Sequence, residues 1–267
     1  MIPGRLPALV GILNTTPDSF SDGGRFREPA VAIARGLAMH ADGADWIDVG
    51  GESTRPGASP VTADEECARI EPVVRALAEA GLAVSIDTQK AAVAEVALAA
   101  GARMVNDVSG GLHDPRILEV SAAHGAFYVA MHMRGTPATM QTLAVYEDVV
   151  GEVHAELSER LAAARAAGIA PERLIADPGF GFAKKLEHNV ELLARLDEFA
   201  DLGVPLFVGI SRKSMIDALT GETAPTARLA GSLAGLSAAV LHGADYLRVH
   251  DVAPSLAAAR VALRLRG

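Results

Sequence analysis

The sequence predicts a single (β/α)8 barrel, and three observations carry that prediction. Seven glycines (Gly43, Gly81, Gly101, Gly125, Gly168, Gly203 and Gly243) each follow an amphipathic, Ala- and Leu-rich stretch and precede a short apolar run. A glycine just past a helix accepts the left-handed conformation that ends it. The runs are rich in Val, Ile, Leu and Met and apolar on both faces, as a parallel strand covered on two sides reads. The 267 residues also lie near the ~250 typical of such a barrel. A doubly wound open sheet fits less well, because no G-x-G-x-x-G follows the first strand. No linker, low-complexity tract or charge block divides the chain, so residues 1–267 read as one domain.

The elements follow in order. The first apolar run, residues 9–13, ends on Asn14, and Gly43 leads to Asp48. Thr62 and Glu65 have capping-box spacing ahead of a helix running towards Ala80. Gly81 leads to Asp87 and Gly101 to Asn106. Pro115, after Asp114, suits the first turn of a short helix. Gly125 leads to His132, and residues 147–167 read as one long helix. Gly168 leads to Asp177 and Gly203 to Ser211. A helix over residues 225–242 then ends at Gly243, which leads to Arg248 and His250. In such a barrel the strand ends and the loops after them build the active site. These polar terminators are therefore expected to share one mouth.

Composition bounds the rest. Half of the residues are hydrophobic, enough for a large core. There is neither a signal-peptide pattern nor an 18-residue apolar run, so a soluble protein is expected. Cys67 is the sole cysteine, which excludes an internal disulfide and suits a reducing cytoplasm. The net charge of −9 argues against broad nucleic-acid binding. Arg55, Lys184, Arg212, Lys213, Arg248 and His250 nevertheless lie near predicted strand ends, where local positive charge can focus an anion.

Four groups of residues carry chemistry. ILNTTPDSFSDGG, residues 12–24, is polar and rich in turn formers; Asn14 offers a neutral oxygen to Mg²⁺, and Asp18 and Asp22 are further candidates. In DVGGESTRPGA, residues 48–58, Gly50 and Gly51 permit close backbone approach. Ser53 and Thr54 there supply hydroxyls, Arg55 a planar anion-binding fork, and Pro56 stiffness. The middle of the chain supplies Asp87, Asn106 and Asp177; such groups grip the donor and acceptor edge of an amino-pyrimidinone ring. Phe182 suits one face of a flat ring, and Met131 or Met133 the other. Last, GISRKSM (209–215) and LRVHD (247–251) place Ser211, Lys213, Arg248 and His250 after the seventh and eighth strands, where many barrels bind phosphate. Taken singly, Arg55 reads as a surface ion-pair partner, Phe182 and the methionines as core; the agreement of the set is what points to a site.

From ILNTTPDSFSDGG to LRVHD, over essentially the whole chain and in order, these motifs resemble the dihydropteroate synthases. Thr15 departs from that pattern, which has an apolar residue there, commonly valine. The resemblance implies joining 4-aminobenzoate to 6-hydroxymethyl-7,8-dihydropterin diphosphate, with Mg²⁺, to give 7,8-dihydropteroate and pyrophosphate in folate biosynthesis. It implies that Asp87, Asn106, Asp177 and Lys213 hold the pterin. Asn14, Arg248 and His250 would hold the diphosphate and its Mg²⁺, with Asp22 a second metal candidate. Thr54, Arg55, Phe20 and Pro56 would serve the diphosphate or the aminobenzoate, and Ser211 the aminobenzoate carboxylate. Asn14, Arg55, Lys213, Arg248 and His250 are thus the expected catalytic set. A cytoplasmic homodimer, formed through late helices and targeted by sulfonamides, is implied as well.

No side-chain nucleophile is needed, and no serine–histidine or cysteine–histidine pair is recognisable. An SN1-like order is expected, because the electron-rich dihydropterin stabilises a cationic methylene while the loops position the arylamine. A methyltetrahydrofolate methyltransferase would share the ring-gripping Asp and Asn residues without needing the STRPG, SRK and RVH groups. A non-catalytic pterin binder would not need the full set.

Overall fold

The computed structural model describes residues 6–15, 28–52, 61–136 and 139–266. Strands and helices alternate from β1 (Ala8–Asn14), α1 (Glu28–Ala41), β2 (Trp46–Gly50) and α2 (Ala63–Glu79) to β3 (Val84–Asp87) and α3 (Ala91–Ala99). β4 (Met104–Asp107), α4 (Arg116–Ala123), β5 (Phe127–Met131) and α5 (Val149–Ala166) follow. β6 (Leu174–Asp177), α6 (Leu186–Ala194), β7 (Phe207–Val208), α7 (Ser214–Thr220), α8 (Leu229–Leu241), β8 (Tyr246–Val249) and α9 (Val252–Arg266) complete the chain. The strands pair in parallel in the order β6-β5-β4-β3-β2-β1-β8-β7. A bridge between Ala176 and Leu206 joins the two edges, with the Ala176 N–H donating to the Pro205 carbonyl at 2.9 Å. The predicted barrel is thereby closed.

The seven glycines all have positive φ, between 59° and 111°. Six of them end their helices in the same way. At Gly81, its N–H donates to the Ala78 carbonyl at 2.9 Å and that of Leu82 to the Leu77 carbonyl at 3.1 Å. This is a Schellman cap, and its following residue turns inward: Ala44, Leu82, Ala102, Ala126, Ile169 and Ala244 are all buried. Each cap therefore ends a helix and aims the next strand at the core. Gly203 differs, closing a 3-10 segment, Leu196–Leu202, that feeds the two-residue β7.

Helix starts depart from prediction in informative ways. Thr62 caps α2, its hydroxyl accepting the Glu65 N–H at 3.2 Å, but the Glu65 carboxylate pairs with Arg69 rather than closing the box. The predicted 147–167 helix starts at Val149, because Asp148 is extended and Glu152 takes the Glu147 and Asp148 N–H groups at 2.7 and 3.2 Å. The predicted 225–242 helix opens as a 3-10 turn, Pro225–Arg228, before α8. There Arg228 reaches back to the Glu222 and Arg212 carbonyls at 2.7 and 3.0 Å, which ties that turn to the preceding loop.

Alternation along the strands creates two cores. Leu9, Leu13, Ile47, Val49, Val84, Ile86, Val105, Tyr128, Leu174, Leu247 and Val249 point outward and pack beneath the helices. Val10, Met104, Val129, Ile175 and Phe207 point inward and plug the barrel, with Trp46, Phe127 and Tyr246 against them. Above that plug the inward positions turn polar, as expected of runs that end on polar residues sharing one mouth.

Candidate active site

Register brings the polar residues to one level. Asn14 lies opposite Gly50, Gly50 opposite Asp87, and Asp87 opposite Asn106. On inward parity stand Asp48, Ser85, Asp87, Asn106, Asp177 and Arg248. Asp107, next to Asn106, takes the opposite parity and is structural. Its carboxylate accepts from the Tyr128 hydroxyl and the Gly111 N–H, both at 2.7 Å, and from Ser109.

Arg248 is the hub. Its Nε donates to Asp48 Oδ2 at 2.6 Å and its Nη2 to Asp87 Oδ2 at 2.7 Å. The Asn106 amide donates to the same Asp48 oxygen at 3.0 Å. Burial lowers the guanidinium pKa, but the Asp48 and Asp87 carboxylates outweigh it and raise it. Burial pushes the Asp87 carboxyl up to about 7, against Arg248 and aided by Asp48. Asp48 Oδ1, Asp87 Oδ1 and Ser85 Oγ are buried with no hydrogen-bond partner in the described protein. Such atoms await a ligand or water.

Beside this cluster is a second pair. Asp177 Oδ1 accepts the Gly179 N–H at 2.7 Å, and burial raises its pKa while Lys213 opposes. The Lys213 ammonium donates to the Phe180 carbonyl and stands 4.8 Å from the Phe182 ring centroid. Burial pulls Lys213 down to about 8, with Asp177 opposing. Phe182 packs with Val108, Met131, Met133, Met140 and Ala183, so the aromatic and the two methionines share one apolar wall. At the eighth strand end, Ser211 Oγ accepts the His250 N–H at 3.2 Å and lies 3.1 Å from its Nδ1.

Several expectations need revision. Arg248, expected at the diphosphate, is also bonded to Asp87 of the ring-binding set, so its guanidinium is balanced by two carboxylates and links the two groups. Arg212 is not free to focus an anion: its Nε and Nη2 donate to Asp251 at 2.9 and 2.6 Å. Lys184 is buried and donates to His132 Nδ1 at 2.9 Å, not into the mouth. Asp48, fully buried beneath Arg248, was assigned no role; its parity with Gly50 was the signal that could have found it. Thr15, the departure from the family pattern, is accommodated: its hydroxyl donates to the Gly50 carbonyl at 3.1 Å.

Phe20, Asp18, Asp22, Ser53, Thr54, Arg55 and Pro56 lie outside the described residues. The anchors of the second loop are visible. Lys90 Nζ donates to Glu66 Oε2 at 2.7 Å, to the Val61 carbonyl at 2.6 Å and to Glu52 Oε2 at 3.1 Å. Glu52 Oε1 accepts the Val61 N–H at 2.8 Å, so residues 52 and 61 are clasped together.

Among the described residues no group of three His, Cys, Asp or Glu side chains could hold a metal ion. Asn14 Oδ1 stands near Gly50, which also touches Asp87, at the mouth between β2 and β8. A hard neutral oxygen there fits a Mg²⁺ that arrives with a diphosphate and keeps most of its ligands from phosphate and water. No described helix is long and apolar enough to cross a membrane.

Comparison with known proteins shows the family and agrees with the barrel fold. Residues 10–250 match the family of pterin binding enzymes. The chain is 48% identical over 250 residues to a dihydropteroate synthase of Synechocystis, covering 93% of this chain and 86% of that one. Among solved structures, a Xanthomonas albilineans dihydropteroate synthase with 4-aminobenzoic acid superposes with a TM-score of 0.92 at 46% identity, over 99% of this chain and 94% of that one. The enzyme from the same organism in complex with 7,8-dihydropteroate gives 0.89 at 43% identity, over 100% and 96%.

Proposed function

We propose a reaction and its chemistry from the premise that the chain belongs to the pterin-binding enzymes and, within them, to the dihydropteroate synthases, transferases of folate biosynthesis. The substrates are 4-aminobenzoate and 6-hydroxymethyl-7,8-dihydropterin diphosphate, and the products 7,8-dihydropteroate and pyrophosphate. The observation that supports this best is the meeting, at one mouth, of Asp87, Asn106, Asp177 and Lys213 with Arg248, Ser211 and His250.

The ring enters above the apolar plug. Asp177, whose Oδ1 is held by Gly179, turns its other oxygen to the ring N–H and amino donors. Asn106 supplies a further donor and acceptor, and Lys213 a donor to a ring acceptor. Phe182 covers one face. Arg248 lies beneath the methylene and diphosphate, with His250 and Ser211 beside it, so charge that develops on the departing oxygen meets fixed donors. Asn14, with Asp22 as a candidate second ligand, would hold a Mg²⁺, which when bound would supply further neutralisation of that charge. Carbon–oxygen cleavage runs ahead of attack, because the electron-rich dihydropterin stabilises the methylene cation. The arylamine is then positioned for capture by the loops bearing Phe20, Thr54, Arg55 and Pro56, with its carboxylate towards Ser211. The active assembly is a homodimer in the cytoplasm.

Mixing the chain with both substrates and Mg²⁺ is expected to release one pyrophosphate per pteroate, and chelation of the metal to stop it. Tight pterin binding without pyrophosphate release would reject the reaction. A rate that follows arylamine basicity strongly and ignores the leaving group would reject the SN1-like order. Lys213→Ala and Asp177→Asn each remove a charge-assisted partner of the ring. Each is expected to weaken pterin binding by about 10- to 100-fold, from about 1.5–3 kcal/mol per such bond. Isothermal titration showing unchanged affinity in both variants would refute the ring assignment.

A further inference from the structure

The segment after β6, DPGFGFAKK, is restrained to an unusual degree. The carbonyls of Gly179 and Phe182 accept from Lys184 Nζ at 3.1 and 3.0 Å, that of Phe180 from Lys213, and that of Ala183 from the Tyr146 hydroxyl at 3.0 Å. The carbonyls of Lys184 and Lys185 accept from the Asn189 amide at 3.3 and 2.7 Å. Lys184 is only 3% exposed, so a nominal surface residue has been folded inward beneath its own loop.

The third partner of Lys184 is His132, fully buried at the end of β5. The opposite ring nitrogen, Nε2, lies 3.0 Å from Glu156 Oε2 on α5. Glu156 is an anion: His132 and Arg134 hold its carboxyl down to about 2 against the cost of burial. A carboxylate only accepts, so Nε2 carries the proton. Burial and the neighbouring Lys184 keep the imidazole neutral, its pKa down at about 3 despite Glu156. Nδ1 is then a bare acceptor, and Lys184 faces three acceptors with three hydrogens. Burial pulls its pKa well below lysine's usual range, Asp177 opposes that, and Arg160 and Lys213 add to it. The acceptor set decides: a neutral amine has two hydrogens and would leave one contact between two acceptors.

We infer that Lys184, His132 and Glu156 form a relay that positions the ring-binding loop, Lys184 being its internal strut and His132 the neutral link to Glu156. The inference rests on the pterin reading above. Lys184 is a positioning residue, because it reaches the ring through Gly179, which holds Asp177, and through Phe182, which covers the ring face.

The test is direct titration of the full chain with 6-hydroxymethyl-7,8-dihydropterin, which needs no turnover, alongside steady-state kinetics and thermal melting. Lys184→Met and His132→Leu are each expected to raise the pterin Kd at least tenfold, with the KM for aminobenzoate within about twofold of the parent. His132→Gln offers an acceptor and a donor on one carbon and is expected to recover most of the affinity, whereas His132→Leu cannot. Glu156 is 29% exposed, so Glu156→Gln keeps the fold testable should the buried changes prevent folding; a rise in Kd of about threefold is expected. Unchanged pterin affinity in Glu156→Gln and in His132→Leu, with only a lowered Tm in His132→Leu, would reduce the trio to ordinary core and overturn the relay. Equal losses in pterin affinity and aminobenzoate KM would do the same. A parent chain that binds no pterin would instead overturn the functional reading, and the relay with it.

Discussion

Replacing Arg248 with methionine is expected to lower pyrophosphate release by at least about a thousandfold and to destabilise the fold by about 3–5 kcal/mol, the cost of breaking a buried ion pair from one side. The guanidinium bonds Asp48 at 2.6 Å and Asp87 at 2.7 Å, and both carboxylates already carry an unpartnered buried oxygen. Methionine fills similar volume but leaves two carboxyl groups facing each other without a cation. They would relieve this by taking up a proton, as like charges in a dry site do. The consequence for pH has a definite sign. The Asp87 carboxyl has a folded pKa of about 7 against about 3.9 when unfolded. Its raised pKa means that the folded state holds the extra proton, so stability falls as pH rises through that window, by up to about 1.4 kcal/mol per pH unit. In Arg248→Met the loss should steepen and extend above pH 7. Urea midpoints at pH 6 and pH 8 measure it. Arg248→Lys should restore little, since one ammonium cannot span both carboxylates with two separate donors. A methionine variant with turnover within tenfold of the parent, or with a urea midpoint insensitive to pH, would refute this role for Arg248.

The barrel was legible because its punctuation is local. A Schellman glycine and the buried residue after it are neighbours in sequence, so Gly81 and Leu82 announce both a helix end and a strand start. The site was legible only to the level of the strand end. Asn106 and Asp107 are adjacent and both polar, yet one enters the mouth and the other binds Tyr128 behind the barrel wall. Alternation along β4 separates them: Asn106 shares the inward face of Met104, and Asp107 the outward face of Val105. Asp48 was legible as a strand end at the mouth, but its partners Arg248 and Asn106 lie far along the chain and give it no local signature. Charge misled in another way: Lys184 and Arg212 follow strand ends as Lys213 does, but His132 and Asp251, each far along the chain, claim them. Long side chains can choose among partners, and spacing does not say which.

Gly179 gives the sharpest test of how tightly the mouth is built. A Cβ at this position would stand 1.9 Å from the His132 carbonyl oxygen, a backbone atom at the end of β5, and its φ is +73°. Two penalties are therefore combined: a left-handed backbone that costs an L-residue about 1–2 kcal/mol, and a collision that no rotamer change relieves. Gly203 isolates the first. Its φ is +70°, and nothing lies within 4 Å of its would-be Cβ. Gly203→Ala is expected to cost about 1 kcal/mol, and Gly179→Ala about 3–5 kcal/mol, among the large values single substitutions reach. The excess must come from separating β5 from the loop after β6, because both the Gly179 N–H and its carbonyl are engaged, by Asp177 and Lys184. A Gly179→Ala chain that still folds should thus bind pterin at least tenfold more weakly, while Gly203→Ala binds as the parent does. Urea unfolding and pterin titration of the two variants measure both differences. Equal stability losses would mean that the loop moves aside freely. In that case Asp177 is held by the strand alone, and the crowding at Gly179 plays no part in shaping the ring pocket.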